Sequence, residues 1–269
     1  VAIVGGILAG FKAGKYRSVA NYASVARSVH VRAGHCFTDA LKWEFTAGIR
    51  SALGGIGPSH QCAELPLERL VDCHADEFPD RPGAPVGFMD MFILASFFLL
   101  REVEASLMLA SSVYLDMVAM TVSIWLPTSK TDPRALTCRR RWGCVCGQGR
   151  AELLCAFHAA CRQLERLKKL WPDGFPEGLP FFPTVQGTAV AKAMVVSMVV
   201  QFAMQLGLPL VAEDGRDAFT GHVFRISGSR HLARYGVEHH IIMLLARWAS
   251  AVILQYLKDV PLEVLTDKY

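Results

Sequence analysis

The stretch that decides the fold is AFTGHVFRISGSRHLARYG, residues 218–236. It contains the box His222-Val223-Phe224-Arg225 at the start of a segment with helical periodicity, which runs to about Tyr235. Gly236 follows, and glycine readily adopts the left-handed backbone found just after a helix. Further along, Trp248 lies twenty-six residues after His222, and Tyr256 lies eight residues after Trp248. Histidine, arginine, tryptophan and tyrosine in this order suit a phosphoryl-transfer site with a tyrosine nucleophile.

Upstream of this stretch the pattern predicts a mostly α-helical protein with a small antiparallel β-sheet, the α+β class. A β-like pattern through residues 118–126 and a return strand at 136–142 flank a proline-bounded turn, which predicts a hairpin with Lys130 at its tip. Helical periodicity covers the other main segments, at 19–53, 87–100, 152–170, 188–207, 238–247 and 250–258.

Composition sets the domain organisation. Residues 72–87 combine acidic side chains with prolines and glycines and lack periodicity, which predicts a linker. We therefore predict a helical domain at 1–71, a linker at 72–87 and a larger domain at 88–269. The chain begins at Val1 rather than methionine, which predicts a fragment of something longer, so no targeting signal can be read from it.

The charge and cysteine content narrow the functional classes. The net charge of +4 is polarised, with an excess of basic residues in 1–70 and 121–269 and an excess of acidic residues in 71–120. This is typical of a protein that grips a polyanion from two sides, although solvated surface charge gives the same pattern. The longest apolar run, Met91–Leu100, is too short to span a bilayer. Eight cysteines in a chain of this size favour reduced thiols and an intracellular location.

Two upstream residues complete the constellation. Arg101 stands in Phe98-Leu99-Leu100-Arg101-Glu102-Val103-Glu104, with an acidic residue three positions later, and Lys130 stands in the predicted hairpin turn. The ordered set resembles the tyrosine recombinases of the phage-integrase superfamily, particularly the versions carried by eukaryotic mobile elements. A single R-x-x-E or H-x-x-R would carry little weight, but six residues in order and at spacing are a specific signal. These six are Arg101, Lys130, His222, Arg225, Trp248 and Tyr256.

The resemblance implies a function and its partners. It implies a helical core-binding domain and a catalytic domain that cleave and rejoin double-stranded DNA through a 3′-phosphotyrosine, with Tyr256 as nucleophile. It implies that the protein acts as a homo-oligomer on DNA, requires no cofactor or catalytic metal, and is nuclear if its source is eukaryotic. Two rival functions stay open: a DNA-binding protein that descends from a recombinase and no longer cuts, and a type IB topoisomerase-like activity.

Elementary chemistry supports the same assignment. Arg101 and Arg225 can neutralise the charge that develops on a phosphate, because a guanidinium stays charged and donates two hydrogen bonds at once. His222 can accept or relay the proton of Tyr256, and Lys130 can protonate the leaving oxygen. Taken singly, each residue also has an ordinary structural interpretation. Arg101 could cap a helix C-terminus, Lys130 could be a solvated turn lysine, and Trp248 and Tyr256 could be core aromatics.

Two further groups of residues call for an interpretation. Basic side chains of the first domain would contact phosphates and would give affinity without sequence choice. Cys144-x-Cys146 and Cys155-x-x-His158 could hold a structural zinc, although C-x-C is tighter than the usual finger spacing and reduced structural cysteines are the alternative. Arg139-Arg140-Arg141 precedes this group and could contact the DNA backbone or be a solvated run. The basic residues of the first domain are Lys12, Lys15, Arg17, Arg27, Arg32, Lys42 and Arg50.

Overall fold

The protein divides into two compact units, Val1–His60 and Gln61–Tyr269, which are described separately here. The architecture comes from a computed structural model, which describes residues 2–56, 62–73, 81–126, 138–146 and 153–248. Among these residues, none of the helices is both long and apolar enough to cross a bilayer.

The first unit consists of three helices: α1 (Ala2–Ala13), α2 (Val19–Arg32) and α3 (Asp39–Leu53). Its small core is formed by Leu8, Val19 and Ala52. Helix α1 packs on α3 where Gly48 has no side chain, because a Cβ atom there would overlap the side chain of Leu8. The helical periodicity between residues 19 and 53 is confirmed. Helix α1 was not predicted, because Gly5, Gly6 and Gly10 lower the helix propensity of its sequence.

The division between the units differs from the predicted boundary. Residues 62–71 were assigned to the first domain, but Leu65, Leu67 and Leu70 are fully buried in the main core of the second unit. The backbone N–H of Leu65 also donates to the hydroxyl of Ser227, at 3.0 Å. This segment lies before the acidic, proline-rich stretch. The boundary predicted from composition therefore falls after the segment, whereas the two compact units divide before it. Burial of apolar side chains, rather than composition, assigns the segment to the second unit.

The second unit is mostly helical, with one three-stranded antiparallel sheet in the order β1-β2-β3. The predicted α+β class is therefore confirmed. A 3₁₀ helix at Leu67–Asp72 precedes these elements. In chain order they are α4 (Phe88–Phe97), α5 (Glu102–Ser106), β1 (Val113–Asp116), β2 (Thr121–Leu126), β3 (Cys138–Gly143), α6 (Ala156–Leu170), α7 (Lys192–Gln205), α8 (Val223–Arg234) and α9 (His239–Ala246).

The hairpin predicted from the sequence is present as β2 and β3, which pair from Thr121 with Gly143 to Leu126 with Cys138. The predicted first strand begins too early, because the chain turns between β1 and β2. The carboxylate of Asp116 accepts hydrogen bonds from the backbone N–H groups of Val118 (3.0 Å) and Ala119 (2.8 Å), which closes this turn. Alternating β-branched residues gave no sign of the turn.

Two contacts hold α4 in the centre of the unit. A Cβ atom at Gly228 of α8 would overlap the carbonyl oxygen of Ser96, so the two helices can approach closely only at a glycine. On another side, the buried carboxylate of Asp90 pairs with Arg162 and Arg166 of α6. Helix α4 ends at Phe97, and the left-handed backbone of Leu99 (φ 50°) then turns the chain toward Arg101. Arg101 therefore lies next to the first turn of α8.

Candidate active site

The site forms where two helices begin close together. Arg101 is the residue that precedes α5, and its backbone N–H donates to the carboxylate of Glu104 at 2.8 Å. His222 is the residue that precedes α8, and the carbonyl of Gly221 accepts the backbone N–H of Glu102 at 3.4 Å. Arg101 therefore begins a helix. The alternative that it caps the end of the preceding apolar helix is wrong.

Glu104 lies at the centre of three arginines. Its two carboxylate oxygens accept hydrogen bonds from Arg101 (2.9 Å), Arg225 (3.2 Å) and Arg247 (2.8 Å). Burial raises the pKa of this carboxyl, but the backbone N–H of Arg101 and the three guanidinium groups outweigh burial and hold the pKa below its usual value. One carboxylate among three guanidinium groups leaves the cluster with an excess of positive charge.

Arg225 is the most buried member of this cluster, with 3% of its surface exposed. Burial lowers the pKa of its guanidinium to about 10, although the charge of Glu104 opposes the shift, so Arg225 remains charged at neutral pH. Its Nε atom is also buried and has no hydrogen-bond partner among the described residues. A buried charged donor with remaining capacity is costly unless a further acceptor binds it.

His222 lies beside this positive cluster. Its side chain keeps an exposed edge, while surrounding atoms desolvate the ring. Desolvation lowers the pKa of His222, the charge of Glu102 raises it, and the charges of Arg225, Arg101 and Lys192 lower it further. The net direction is downward from an ordinary value near 6.5, so the imidazole is neutral at pH 7 and can accept a proton.

Trp248 has clear packing partners. It follows Arg247, whose left-handed backbone (φ 57°) ends helix α9, and its backbone N–H donates to the carbonyl of Met243 at 3.1 Å. The half-buried Trp248 side chain packs against the small apolar cluster that contains Leu99 and Ile242. The apolar contact predicted for this residue is thus present, and a phosphate-binding role for its indole stays a prediction.

The structure brings together part of the predicted constellation. Arg101 and Arg225 share one carboxylate, and His222 lies within electrostatic range of both. Lys130 and Tyr256 lie outside the described residues, and so does the predicted helix at 250–258. The proposed roles of these two residues remain predictions.

Sequence reasoning missed three participants. Arg247 was passed over, although it stands directly before Trp248 and donates to Glu104. Lys192, at the start of α7, forms an ion pair with Glu102 at 3.4 Å, beside His222. The proximity of Arg247 to Trp248 was the available signal. For Lys192 and Glu102, which are 90 residues apart in the chain, the sequence offered none.

The arginines of β3 have protein partners. Arg140 donates to the carbonyl of Leu244 at 3.0 Å, and the guanidinium of Arg139 lies over the ring of Trp125, 5.9 Å from its centroid. These two are therefore held against the fold, and the prediction that they contact DNA is left open. Separately, Cys144, Cys146, Cys155 and His158 place their sulfur and nitrogen atoms within 4.8 Å of one another, so this cluster could bind zinc.

Comparison with solved structures identifies the fold. The chain is similar to the XerH site-specific recombinase in a post-cleavage complex with palindromic difH substrate, with a TM-score of 0.56, 14% identity and coverage of 93% of this chain and 70% of that one. It is similar to a lambda integrase dimer bound to a COC' core site, with a TM-score of 0.58, 15% identity and coverage of 94% and 77%. Neither a protein-family model nor a curated protein matches the sequence.

The chain therefore has the same fold as these solved recombinase and integrase structures, which is the fold that the resemblance implied. Identities of 14–15% establish the fold alone.

Proposed function

We propose that this chain breaks and rejoins duplex DNA through a covalent 3′-phosphotyrosine on Tyr256. The observation that carries the proposal is the convergence of Arg101, Arg225 and Arg247 on Glu104, with a neutral histidine beside them. Such a cluster keeps positive charge in place before a phosphate arrives, and preorganised charge is the main means by which enzymes stabilise a phosphoryl transition state.

The proposed step balances with side chains alone. The Tyr256 hydroxyl attacks phosphorus, a bond from phosphorus to the tyrosine oxygen forms, and the bond to the 5′-oxygen breaks. His222 accepts the tyrosine proton, and Lys130 donates a proton to the leaving 5′-oxygen. The phosphotyrosine conserves the bond energy, so a 5′-hydroxyl from another strand can attack it and restore the backbone. As the resemblance implies, this cycle needs no cofactor.

The solved relatives suggest how the protein meets its substrate. XerH is described bound to a palindromic difH substrate, and lambda integrase as a dimer bound to a COC' core site. We propose that this chain likewise binds double-stranded DNA and acts as a homo-oligomer. Phosphate contacts by the basic residues of the first unit would make this binding fall steeply with salt.

A suicide-substrate assay tests the proposal. Wild-type protein is incubated with labelled nicked duplexes of randomised central sequence, and covalent protein–DNA adducts are separated in denaturing gels. Cleavage next to a nick releases a short strand and traps the adduct. After nuclease and trypsin digestion, we expect a nucleotide on peptide 248–258, in which Tyr256 is the single tyrosine. Tyr256→Phe should give no adduct.

Tyr235→Phe is the matched control, because Tyr235 is a nearby tyrosine with 71% of its surface exposed. It should form as much adduct as wild type. If wild-type protein binds the duplexes and forms no adduct, the chain is a DNA-binding protein without cleavage activity. If adducts form but strands are never exchanged between duplexes, the activity is of the topoisomerase type.

A further inference from the structure

The four ligands of the Cys–His cluster (Cys144, Cys146, Cys155 and His158) come from two segments that meet at the edge of the sheet. Cys144 directly follows β3, and its backbone N–H donates to the carbonyl of Met120 at 2.8 Å. Cys155 is the residue that precedes α6, and His158 lies in the first turn of that helix. The cluster therefore stands between the end of the hairpin and the beginning of a buried helix.

The distances within the cluster suit one tetrahedral ion. The sulfur atoms of Cys144 and Cys155 are 3.8 Å apart, far longer than the about 2.05 Å of a disulfide bond. Nδ1 of His158 lies 3.7 Å from the sulfur of Cys144 and 3.1 Å from that of Cys146. With zinc–sulfur bonds of about 2.3 Å and zinc–nitrogen bonds of about 2.0 Å, a tetrahedron has edges of roughly 3.5–3.8 Å. The two distances from the sulfur of Cys144 match these edges, and the 3.1 Å between Cys146 and His158 has to lengthen when the ion binds.

A backbone donor lies beside the sulfur atoms of the cluster. The backbone N–H of Cys146 donates to the sulfur of Cys144 at 3.4 Å. Cys155 also lies at the positive end of α6.

We propose that Cys144, Cys146, Cys155 and His158 bind one structural zinc ion that ties the end of β3 to the start of α6. Three thiolates and an imidazole in tetrahedral arrangement are typical of zinc, and four protein ligands leave no open position for catalysis. The C-x-C spacing is tighter than that of the usual zinc finger. It is compatible with zinc here because Cys155 and His158, at the start of α6, supply the other two ligands. The ion takes no part in the proposed cleavage of DNA.

The zinc ion would stabilise the hairpin as well as the helix. Helix α6 is anchored to α4 through Asp90, and β3 pairs with β2 along its whole length. The segment that joins β2 to β3 carries Lys130. Fixing the end of β3 against α6 would therefore also fix the end of the β2–β3 hairpin at which Thr121 pairs with Gly143.

Metal analysis of the purified full-length chain is the direct test. Protein produced in zinc-supplemented medium should contain one zinc per chain by mass spectrometry of the metal. Cys146→Ser and His158→Gln should lose it, whereas His158→Cys, which offers a fourth thiolate, should retain it. Cys161→Ser is the matched control, because Cys161 is half-buried on the same helix and is not one of the four ligands. This variant should keep one zinc per chain.

Two measurements on wild type keep the proposal testable if the variants fail to fold. Cobalt(II) added to the metal-free protein should give the visible bands of a tetrahedral site and a thiolate-to-cobalt charge-transfer band. Removing the metal with a chelator should lower the melting temperature by roughly 10 °C, and equimolar zinc should restore it. Both readouts are independent of DNA cleavage.

The proposal is overturned if folded wild-type protein neither carries zinc nor binds cobalt(II) with a tetrahedral thiolate spectrum. It is also overturned if Cys146→Ser and His158→Gln retain a full equivalent of zinc, since the ion would then bind elsewhere. A coloured protein with iron would replace zinc by an iron–sulfur centre and would equally contradict it.

Discussion

The arginine cluster around Glu104 and the Cys–His cluster are both built from polar side chains in the second unit, but in opposite ways. The first draws on residues from Arg101 to Arg247, and its carboxylate already lies among the guanidinium groups. The second draws on residues 144–158, and its sulfur and nitrogen atoms all lie within 4.8 Å of one another. The first cluster contains both signs of charge with an excess of positive charge, whereas the second consists of electron-pair donors that need a cation from outside.

This difference predicts different dependencies. The arginine cluster is held by the protein alone, and its remaining positive charge is available to an anion. Glu104 supplies the counter-charge for three buried or half-buried cations. Its removal should therefore lower the free energy of unfolding, and activity should fall as a consequence. The Cys–His cluster should lose its stabilising effect when its metal is removed, with the charges around Glu104 unchanged.

The largest effect is expected from Glu104→Gln. Removing one partner of a buried ion pair leaves uncompensated charge, which costs about 3–5 kcal/mol of unfolding free energy. Urea denaturation at pH 7 measures it. Asp214→Asn, which breaks the exposed pair with Arg216, is the control and should cost about 1 kcal/mol or less. Equal losses in the two variants would contradict the central role of Glu104.

Arg225→Lys should affect cleavage more than any other conservative change in the cluster. Lysine keeps the charge but loses the planar pair of donors, so we expect a roughly 10²-fold lower rate of adduct formation. Quenched time courses on the nicked duplexes measure it. Arg216→Lys changes an exposed arginine and should leave the rate unchanged. A normal rate for Arg225→Lys would remove this residue from the phosphate site.

Gly228→Ala tests whether the arginine cluster depends on close packing of α4 and α8. The added Cβ would overlap the Ser96 carbonyl, and overpacking of this kind costs about 1–3 kcal/mol. Adduct formation should fall too, because α8 carries His222 and Arg225. Gly6→Ala in α1 meets no atom within 4 Å and should be neutral or stabilising. Unchanged stability in Gly228→Ala would show that the helices can separate freely.

The pH dependence of stability should reveal the Glu104 carboxylate. Its pKa is lower in the folded than in the unfolded state, so its contribution is complete above an unfolded pKa of about 4.3 and is lost as pH falls through the folded pKa. The difference in unfolding free energy between wild type and Glu104→Gln should be constant from about pH 7 to 5 and shrink below about pH 4. A constant difference down to about pH 3 would contradict the assignment.

The smallest effect on folding is expected from Trp248→Phe. Phenylalanine keeps much of the apolar contact with Leu99 and Ile242, so the cost should stay below about 1.5 kcal/mol. Adduct formation should still fall, because the indole N–H is lost, and the fall should be larger than the fraction of unfolded protein can explain. Trp43→Phe in α3, where 70% of the tryptophan is exposed, is the control. If cleavage by Trp248→Phe is unchanged, the residue only packs.

The sequence was informative where residues act locally or in a recognisable order. The helix that begins after His222 and ends before Gly236, and the β2–β3 hairpin, were predicted correctly, since capping and alternation are short-range effects. The sequence failed at helix α1 and at residues 62–71. In both segments, the outcome depends on which apolar surface is available to pack against, and that surface is distant in the chain.

Sequence by itself determined the order and identity of the polar residues, and with them the resemblance that named the fold. The tertiary structure decided which of those residues meet. Glu104 forms ion pairs with Arg225 and Arg247, which lie more than one hundred residues further along the chain. These pairs form because α5 and α8 begin close to each other. The close contact of α4 and α8 at Gly228 allows this arrangement. A hydrogen-bonded ion pair needs its charged atoms within about 4 Å, so charges far apart in sequence become partners only after the helices have packed.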